Sequence, residues 1–202
     1  MSNAAIKNKL SPRNIIVRKC LHFLIALAPL LAALSYPFII IALCTGTVFY
    51  AFIESARFSG GKKHSPIRAL SSVISFASHR RDKSRFVLGP LTLGAGALTV
   101  LIFFNTEASI VAILSLAVGD GLAGLVGRLF GRVRPKILHG KSVEGSITCF
   151  TAITIVCYII TGKFEVAICS AFVGTVTEAL PIEDFDNILL PFFVALVVKL
   201  LG

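Results

Sequence analysis

The sequence predicts an all-α integral membrane protein, a bundle of about seven transmembrane helices with its N-terminus in the cytoplasm. Two properties of the 202-residue chain predict this class. It is 55% hydrophobic with no tryptophan, and its mean hydropathy is +0.87, a balance outside that of a soluble domain of this size. Its apolar residues also gather in seven runs, Cys20–Leu34, Pro37–Ile53, Phe86–Phe104, Ala108–Val126, Ile147–Ile160, Phe164–Val176 and Ile188–Leu201. A straight span needs about 20 residues, so the shorter runs must extend into flanking Gly and Ser or rely on snorkelling Lys and Arg.

The first run starts behind a basic arm, residues 1–17, and no small-x-small cleavage motif follows it. It is therefore expected to stay as a helix, with 18–202 forming a single membrane domain. Arg18 and Lys19 flank it as positive-inside residues commonly do. His22, one turn further on, lies inside the apolar run, where flanking charge does not explain it. The second run ends in Glu54 and Arg57, three residues apart and so spaced for a helical ion pair. In the basic loop that follows, Ile67, Leu70, Ile74 and Ala77 recur at helical spacing opposite Arg68, Ser71, Ser72 and Ser75. That pattern predicts a short interfacial helix, either a simple anchor or a lid over a headgroup.

The fourth run carries Asp120 among apolar neighbours. An acid at such depth costs a few kcal/mol on insertion scales (about 2.5–3.5) and usually faces a polar cavity. On a helix Asp120, Ala123, Gly124, Gly127 and Gly131 share one face with almost no side-chain bulk. Two readings stand: a small-xxx-small packing face, or a face that admits phosphates to the backbone. The next stretch, 136–145, sets Lys141 and Glu144 beside Ser142, a helix N-cap residue type, at the start of the fifth run. Between the sixth and seventh runs stand Glu178, Glu183, Asp184 and Asp186, with Asn187 beside them; they suit an ion-pair mesh or a metal.

Charge sets the orientation. All 20 Lys and Arg except Lys163 and Lys199 fall in the N-terminal arm and the loops after the second and fourth runs, which places that side in the cytoplasm. Eight of the ten acids lie on or near the same face, Glu107 and Glu165 excepted. The net charge of +10 is what topology and anionic headgroups favour. Nucleic acid is not an expected partner, because the aromatic residues lie in the apolar runs and not among the basic ones. The five cysteines are scattered singly without C-x-x-C spacing, so neither a zinc site nor a disulfide framework is indicated. The histidines lack paired ligand spacing. Hard oxygen donors (Asp120, Glu144, Glu178 and Asp186) suit Mg²⁺ bridging carboxylates to phosphates.

Taken together, Arg-Lys-x-x-His at 18–22, Glu-x-x-Arg at 54–57, Gly-Asp-x-x-Ala-x-x-x-Gly-x-x-x-Gly at 119–131, Gly-Lys-Ser-x-Glu-Gly at 140–145 and Glu…Asp-Asn at 178–187 resemble the polytopic CTP-dependent lipid kinases. That family includes diacylglycerol kinase, dolichol (polyprenol) kinase and phytol kinase. The resemblance covers residues 18 to about 195 and implies transfer of a nucleotide γ-phosphate, usually from CTP, to a lipid alcohol at the membrane surface. It makes Arg18, Lys19, Asp120 and Gly127 the residues needed for activity, with Lys141 and Glu144 beside them in the catalytic set. Lys141, Arg128, Arg18 and Lys19 are then expected to neutralise phosphate, with Gly124, Gly127, Gly131 and Ser142 lining the nucleotide. Asp120, Glu144, Glu178 and Asp186 are the candidate metal ligands; His22, Glu54, Arg57 and Asn187 complete the site. The chain lacks the extra helices of the longer dolichol kinases, so the acceptor does not carry over.

Two other classes fit some of these features. A CTP:phosphatidate cytidylyltransferase uses a similar Gly-Asp…Lys…Glu-Gly arrangement but transfers CMP. A small transporter also buries charges in spans but has no need for so many acids at one face. The topology is directly testable: cysteines placed at Gly60–Gly61 and near Arg134 should react with an impermeant thiol reagent only from the cytoplasmic side, and one after Leu201 only from the other. Labelling of the first two from opposite sides would break the seven-span arrangement.

Overall fold

A computed structural model describes residues 20, 22–58 and 86–202. Seven helices run through them and no strand is present among the described residues: α1 His22–Leu34, α2 Tyr36–Phe58, α3 Gly89–Phe103, α4 Thr106–Leu129, α5 Val143–Thr161, α6 Phe164–Ala179 and α7 Asp186–Leu201. Each falls on one of the seven apolar runs. Three stretches are long and apolar enough to cross a membrane, Tyr36–Ala56, Thr106–Leu129 and Val143–Thr161. The basic arm, with Arg18 and Lys19, and the expected interfacial helix at 67–77 lie outside the described residues.

Local chemistry explains where the helices break. In α1 a turn interrupts the helix at 26–27, just before Pro29 in the first turn of Ala28–Leu34. Proline lacks the N–H that would bond the carbonyl four residues back, and the chain tightens there with Ala26 N–H donating to Phe23 O and Leu27 N–H to Leu24 O. A single extended residue, Ser35, separates α1 from α2. Asn105 caps α4 by accepting the Ala108 N–H at 2.9 Å, and Ser142 caps α5 by accepting the Gly145 N–H at 3.1 Å. Gly162 ends α5 at φ 67°, the left-handed conformation that glycine adopts freely.

α4 is the central helix, 56% buried over its most apolar stretch, against 11% for α2, which packs on α1 and α3 along one side. Its first half packs on α7, α5, α3 and α1, and its second half on α5. The core there is built of small and branched residues, among them Val100, Ala108, Val111, Ile113, Leu116, Leu190 and Val194. Within α4 the segment Ser115–Asp120 is a π-helical turn, which interrupts the regular register just before Asp120.

The tightest crossing lies between α3 and α7. Pro191 sits inside α7, so the Asn187 carbonyl four residues earlier loses its helical donor. Gly96 of α3 lies directly against that carbonyl oxygen, where a Cβ would clash with backbone. The Asn187 side chain meanwhile donates to Thr92 Oγ1 at 3.0 Å and to Gly89 O at 3.4 Å. Both ends of Asn187 are thus fixed to α3. Gly96→Ala is expected to force these backbones apart and lower stability by about 1–3 kcal/mol, as overpacking does, read as a lower melting temperature in detergent. An unchanged melting temperature would show that the two helices do not meet so closely.

Candidate active site

The buried titratable residues His22, Glu54, Asp120, Glu178 and Asp186 collect at one end of the bundle, where α1 begins, α2 ends, α4 leaves the core, α5 begins and α6 turns into α7. Three contact systems build that end.

The first joins α1 to α4. His22 is 2% exposed and Asp120 9%, with His22 Nδ1 3.2 Å from Asp120 Oδ2. A carboxylate so buried is tolerated because it is paired. The π turn delivers Asp120 to this position, and π turns in α-helices recur at functional sites.

The second centres on Lys141, in the loop ahead of α5. Its Nζ lies 3.0 Å from Glu178 Oε1 and 3.4 Å from Asp186 Oδ2, and it also donates to the Glu178 backbone carbonyl. Burial disfavours the Lys141 charge, but Glu178 and Asp186, with a smaller share from Asp120, outweigh burial and hold its pKa above the ordinary 10.5. A raised lysine pKa means that the pairing contributes fully below the unfolded value and fades only as pH rises through the folded one. Lys141 is therefore charged throughout the neutral range. Glu178 stands in the last turn of α6 and Asp186 at the start of α7, so one ammonium ties the α4–α5 loop to the α6–α7 corner.

The third fixes the strand of chain before α3. Glu54 is fully buried and its Oε1 accepts the Val87 N–H at 2.7 Å, while the Tyr50 hydroxyl donates to Val87 O at 3.0 Å. The peptide groups on both sides of Val87 are thereby held by α2. The side chain of Arg57, the expected ion-pair partner, lies outside the described residues.

The glycine face divides. Gly127 packs on the turn that opens α5: a Cβ there would stand 2.8 Å from Ser142 Oγ and 3.5 Å from Gly145 Cα. A Cβ on Gly131 would clash with Ser142 and with the Gly127 carbonyl, and one on Gly145 would lie 2.9 Å from Ala123 O. Gly127, Gly131, Gly145 and Ser142 thus form a close helix-to-helix contact, while Gly124 is half-buried further up the same helix and Arg128 is exposed. Glu144 is not brought to the Lys141 cluster. Its Oε1 accepts the backbone N–H groups of Arg132 and Val133 at 2.8 and 3.1 Å and holds the chain leaving α4.

The structure adds Arg134, which sequence reasoning does not single out. It donates to the carbonyls of Gly127 and Gly140, holding the loop that carries Lys141. The signal for it was a cation shortly after a helix C-terminus, where the last carbonyls lack intrahelical partners. Between Lys136 and Gly140 the chain makes a 3-10 turn and two left-handed residues, His139 at φ 48° and Gly140 at φ 96°, and so comes round to present Lys141.

Among the described residues no three His, Cys, Asp or Glu side chains converge to hold a metal ion. The carboxylates of Glu178 and Asp186 are disposed round an ammonium, which is a clamp and not a chelate. The donor type, carboxylate oxygen, still matches what a hard divalent cation takes.

The described residues thus form a helical bundle with a paired buried aspartate, a clamped lysine and a basic loop at one end. No family model and no solved structure matches the chain. It is 30% identical over 136 residues to an uncharacterized protein of Methanocaldococcus jannaschii, covering 66% of this chain and 68% of that protein. It is 34% identical over 62 residues to CTP-dependent diacylglycerol kinase 1 of Saccharomyces cerevisiae, covering 31% of this chain and 21% of the kinase. With dolichol kinase of the same yeast it shares 28% identity over 200 residues, 91% of this chain and 36% of the kinase. The chain is thus similar to CTP-dependent diacylglycerol kinases and to dolichol kinase, and spans 21% to 52% of the length of those kinases.

The packed glycine contact makes a quantitative expectation. Gly127→Ala drives a methyl onto Ser142 Oγ and should cost about 1–3 kcal/mol, and Ser142→Ala should cost about 1 kcal/mol through the lost cap. Because the two side chains meet, the double variant should be more stable than the sum of the single effects by about 0.5 kcal/mol or more. Simple additivity in thermal or denaturant melts would place Gly127 out of contact with Ser142.

Proposed function

We propose that this protein is a membrane lipid-alcohol kinase that transfers the γ-phosphate of a nucleoside triphosphate, CTP foremost, to the hydroxyl of a polyprenol or dolichol, phytol or diacylglycerol at the cytoplasmic face. The observation that carries this reading is the gathering of His22–Asp120 and Lys141–Glu178–Asp186 at one end of a membrane bundle whose relatives include lipid kinases.

Phosphoryl transfer asks a protein for alignment and charge neutralisation more than for covalent chemistry. The acceptor hydroxyl oxygen bonds to the γ-phosphorus, the bond from that phosphorus to the β,γ-bridging oxygen breaks, and the nucleoside diphosphate leaves. The hydroxyl proton needs an acceptor within hydrogen-bond reach. Of three carboxylates that qualify by chemistry, Glu144 is engaged by two backbone N–H groups, Glu178 by Lys141 and Asp120 by His22. We assign the proton to Asp120, whose partner is an imidazole that can itself carry a proton. Lys141 and Arg128 neutralise phosphate charge, joined by Arg18 and Lys19, which stand within four residues of His22 in sequence. A Mg²⁺ ion, when bound, would neutralise phosphate charge, and Asp120, Glu178 and Asp186 are the carboxylates that would hold it, whereas Glu144 is taken by the Arg132 and Val133 N–H groups.

The test is incubation of the purified protein with γ-labelled CTP and a panel of lipid alcohols. Label should appear in the lipid, with the nucleotide released as its diphosphate. Asp120→Asn, which keeps the shape and removes the charge, should lose turnover by about 10²–10⁴-fold while eluting as a folded species in detergent. Label released as pyrophosphate would replace the kinase by a cytidylyltransferase, and a fully active Asp120→Asn would remove Asp120 from the chemistry.

A further inference from the structure

We propose that the apolar groove between α1, α2 and α3 is the binding site for one hydrocarbon chain of the lipid acceptor. The proposal rests on the kinase reading for the lipid's identity as substrate, and on the geometry for the chain itself.

The groove encloses about 470 Å³, within the range of about 300–1,000 Å³ typical of small-molecule sites. Ala28, Ile39 and Leu93 form its buried floor, while Leu24, Leu27 and Gly46 are exposed at its lips. Those lips lie on an apolar helix, α1, and on α2, which is long and apolar enough to cross a membrane, so a hydrocarbon chain has an apolar route to the opening. The trough is open at Gly46, where a Cβ would meet nothing within 4 Å, and closed beside it, where a Cβ on Gly94 would clash with Thr47 Oγ1.

Along α2 the lining runs from Ile39 to Tyr50, ~16 Å at 1.5 Å per residue. That is about half of the ~30 Å hydrocarbon thickness, the depth that one chain of a lipid occupies in its own leaflet.

One end of the trough meets the candidate site. Leu24 and Ile25 follow His22 by two and three residues. The Phe23 ring stands where a Cβ on Gly121, the neighbour of Asp120, would touch it at 3.4 Å. Tyr50, at the same end of the lining, donates to the Val87 peptide that Glu54 also binds. A concave apolar channel whose end residues Leu24 and Tyr50 lie within four positions of His22 and Glu54 in the chain matches a molecule with a hydroxyl at one end and a hydrocarbon chain behind it.

The experiment uses the full chain in detergent with a diacylglycerol carrying a photoactivatable diazirine midway along one acyl chain. Crosslinks should map to α1 and α2 around Leu27 and Gly46, and competition with unlabelled diacylglycerol should remove them. Gly46→Leu fills the opening without a clash and should abolish this labelling. Where phosphate transfer is measured, the same variant should lower the ratio of kcat/KM for long-chain over short-chain acceptors about tenfold or more. Gly46→Ala should act in the same direction more weakly. Thr45→Leu, equally exposed but outside the groove lining, should change neither readout. Labelling spread evenly over the lipid-facing helices, labelling indifferent to Gly46→Leu, or a change of oligomeric state in that variant would each overturn the proposal. Labelling needs no turnover: specific crosslinks without phosphate transfer would sustain the groove and defeat the kinase reading, and transfer without specific crosslinks would do the reverse.

Discussion

The Lys141 ammonium, held between Glu178 and Asp186, is the interaction on which the polar end of the bundle depends. A carboxylate removed from water must find a partner or take up a proton, and the two buried carboxylates that share this half-buried ammonium sit on different helices. Meeting that demand fixes the α4–α5 loop against the corner between α6 and α7. Other polar pairs extend the same logic to the remaining helices. His22–Asp120 fixes α1 to α4, Glu54–Val87 fixes α2 to the start of α3, and Asn187–Thr92 fixes α3 to α7. The far half of the bundle, by contrast, is held by close packing of Ala, Val, Ile and Leu.

Glycine does two jobs in this architecture. On α4 and α5, Gly127, Gly131 and Gly145 let backbones and the Ser142 hydroxyl approach within contact distance, as small residues do between membrane helices. That contact, with Arg134 on the Gly127 and Gly140 carbonyls, sets the position from which Lys141 reaches its partners. On α2, Gly46 faces open space and keeps a channel clear. The first use draws helices together and the second holds them off a ligand's path.

Much of this was legible in the sequence, because water-seeking residues inside apolar runs have few places to go. The seven runs predict the seven helices; Asp120 and His22 stand out as titratable groups inside apolar runs, and Lys141, Glu178 and Asp186 stand out in the short connections at the same face. The division of the glycine face was not legible: the spacing of Gly124, Gly127 and Gly131 is the same whether a helix or a phosphate lies against it. Glu144 has the same charge as Asp120, and only the fold reveals that its oxygen is taken by the Arg132 and Val133 N–H groups. Arg134 looked like one more positive-inside residue. The joint anchoring of Asn187 and Gly96 hinges on Pro191 freeing a carbonyl, which needs knowledge of which helix stands opposite. The π turn left no trace in composition or period.

That π turn gives α4 a particular fragility. Its i→i+5 bonding accommodates one residue more than an α-helix would over the same rise. The segment Ser115–Asp120 therefore acts as a built-in insertion, and the rest of the helix is wound round by about 100° relative to an uninterrupted α-helix, the angle one residue subtends. Loss of any single residue from this turn would let α4 relax to regular geometry with all its hydrophobic character intact. The helix would still cross the membrane, but Asp120 and the glycine face beyond it would no longer point the way they do now with respect to the first half of the helix. An in-frame deletion of one codon here would thus be silent to hydropathy and ruinous to the site, whereas most substitutions among the apolar residues of the same turn would be neither.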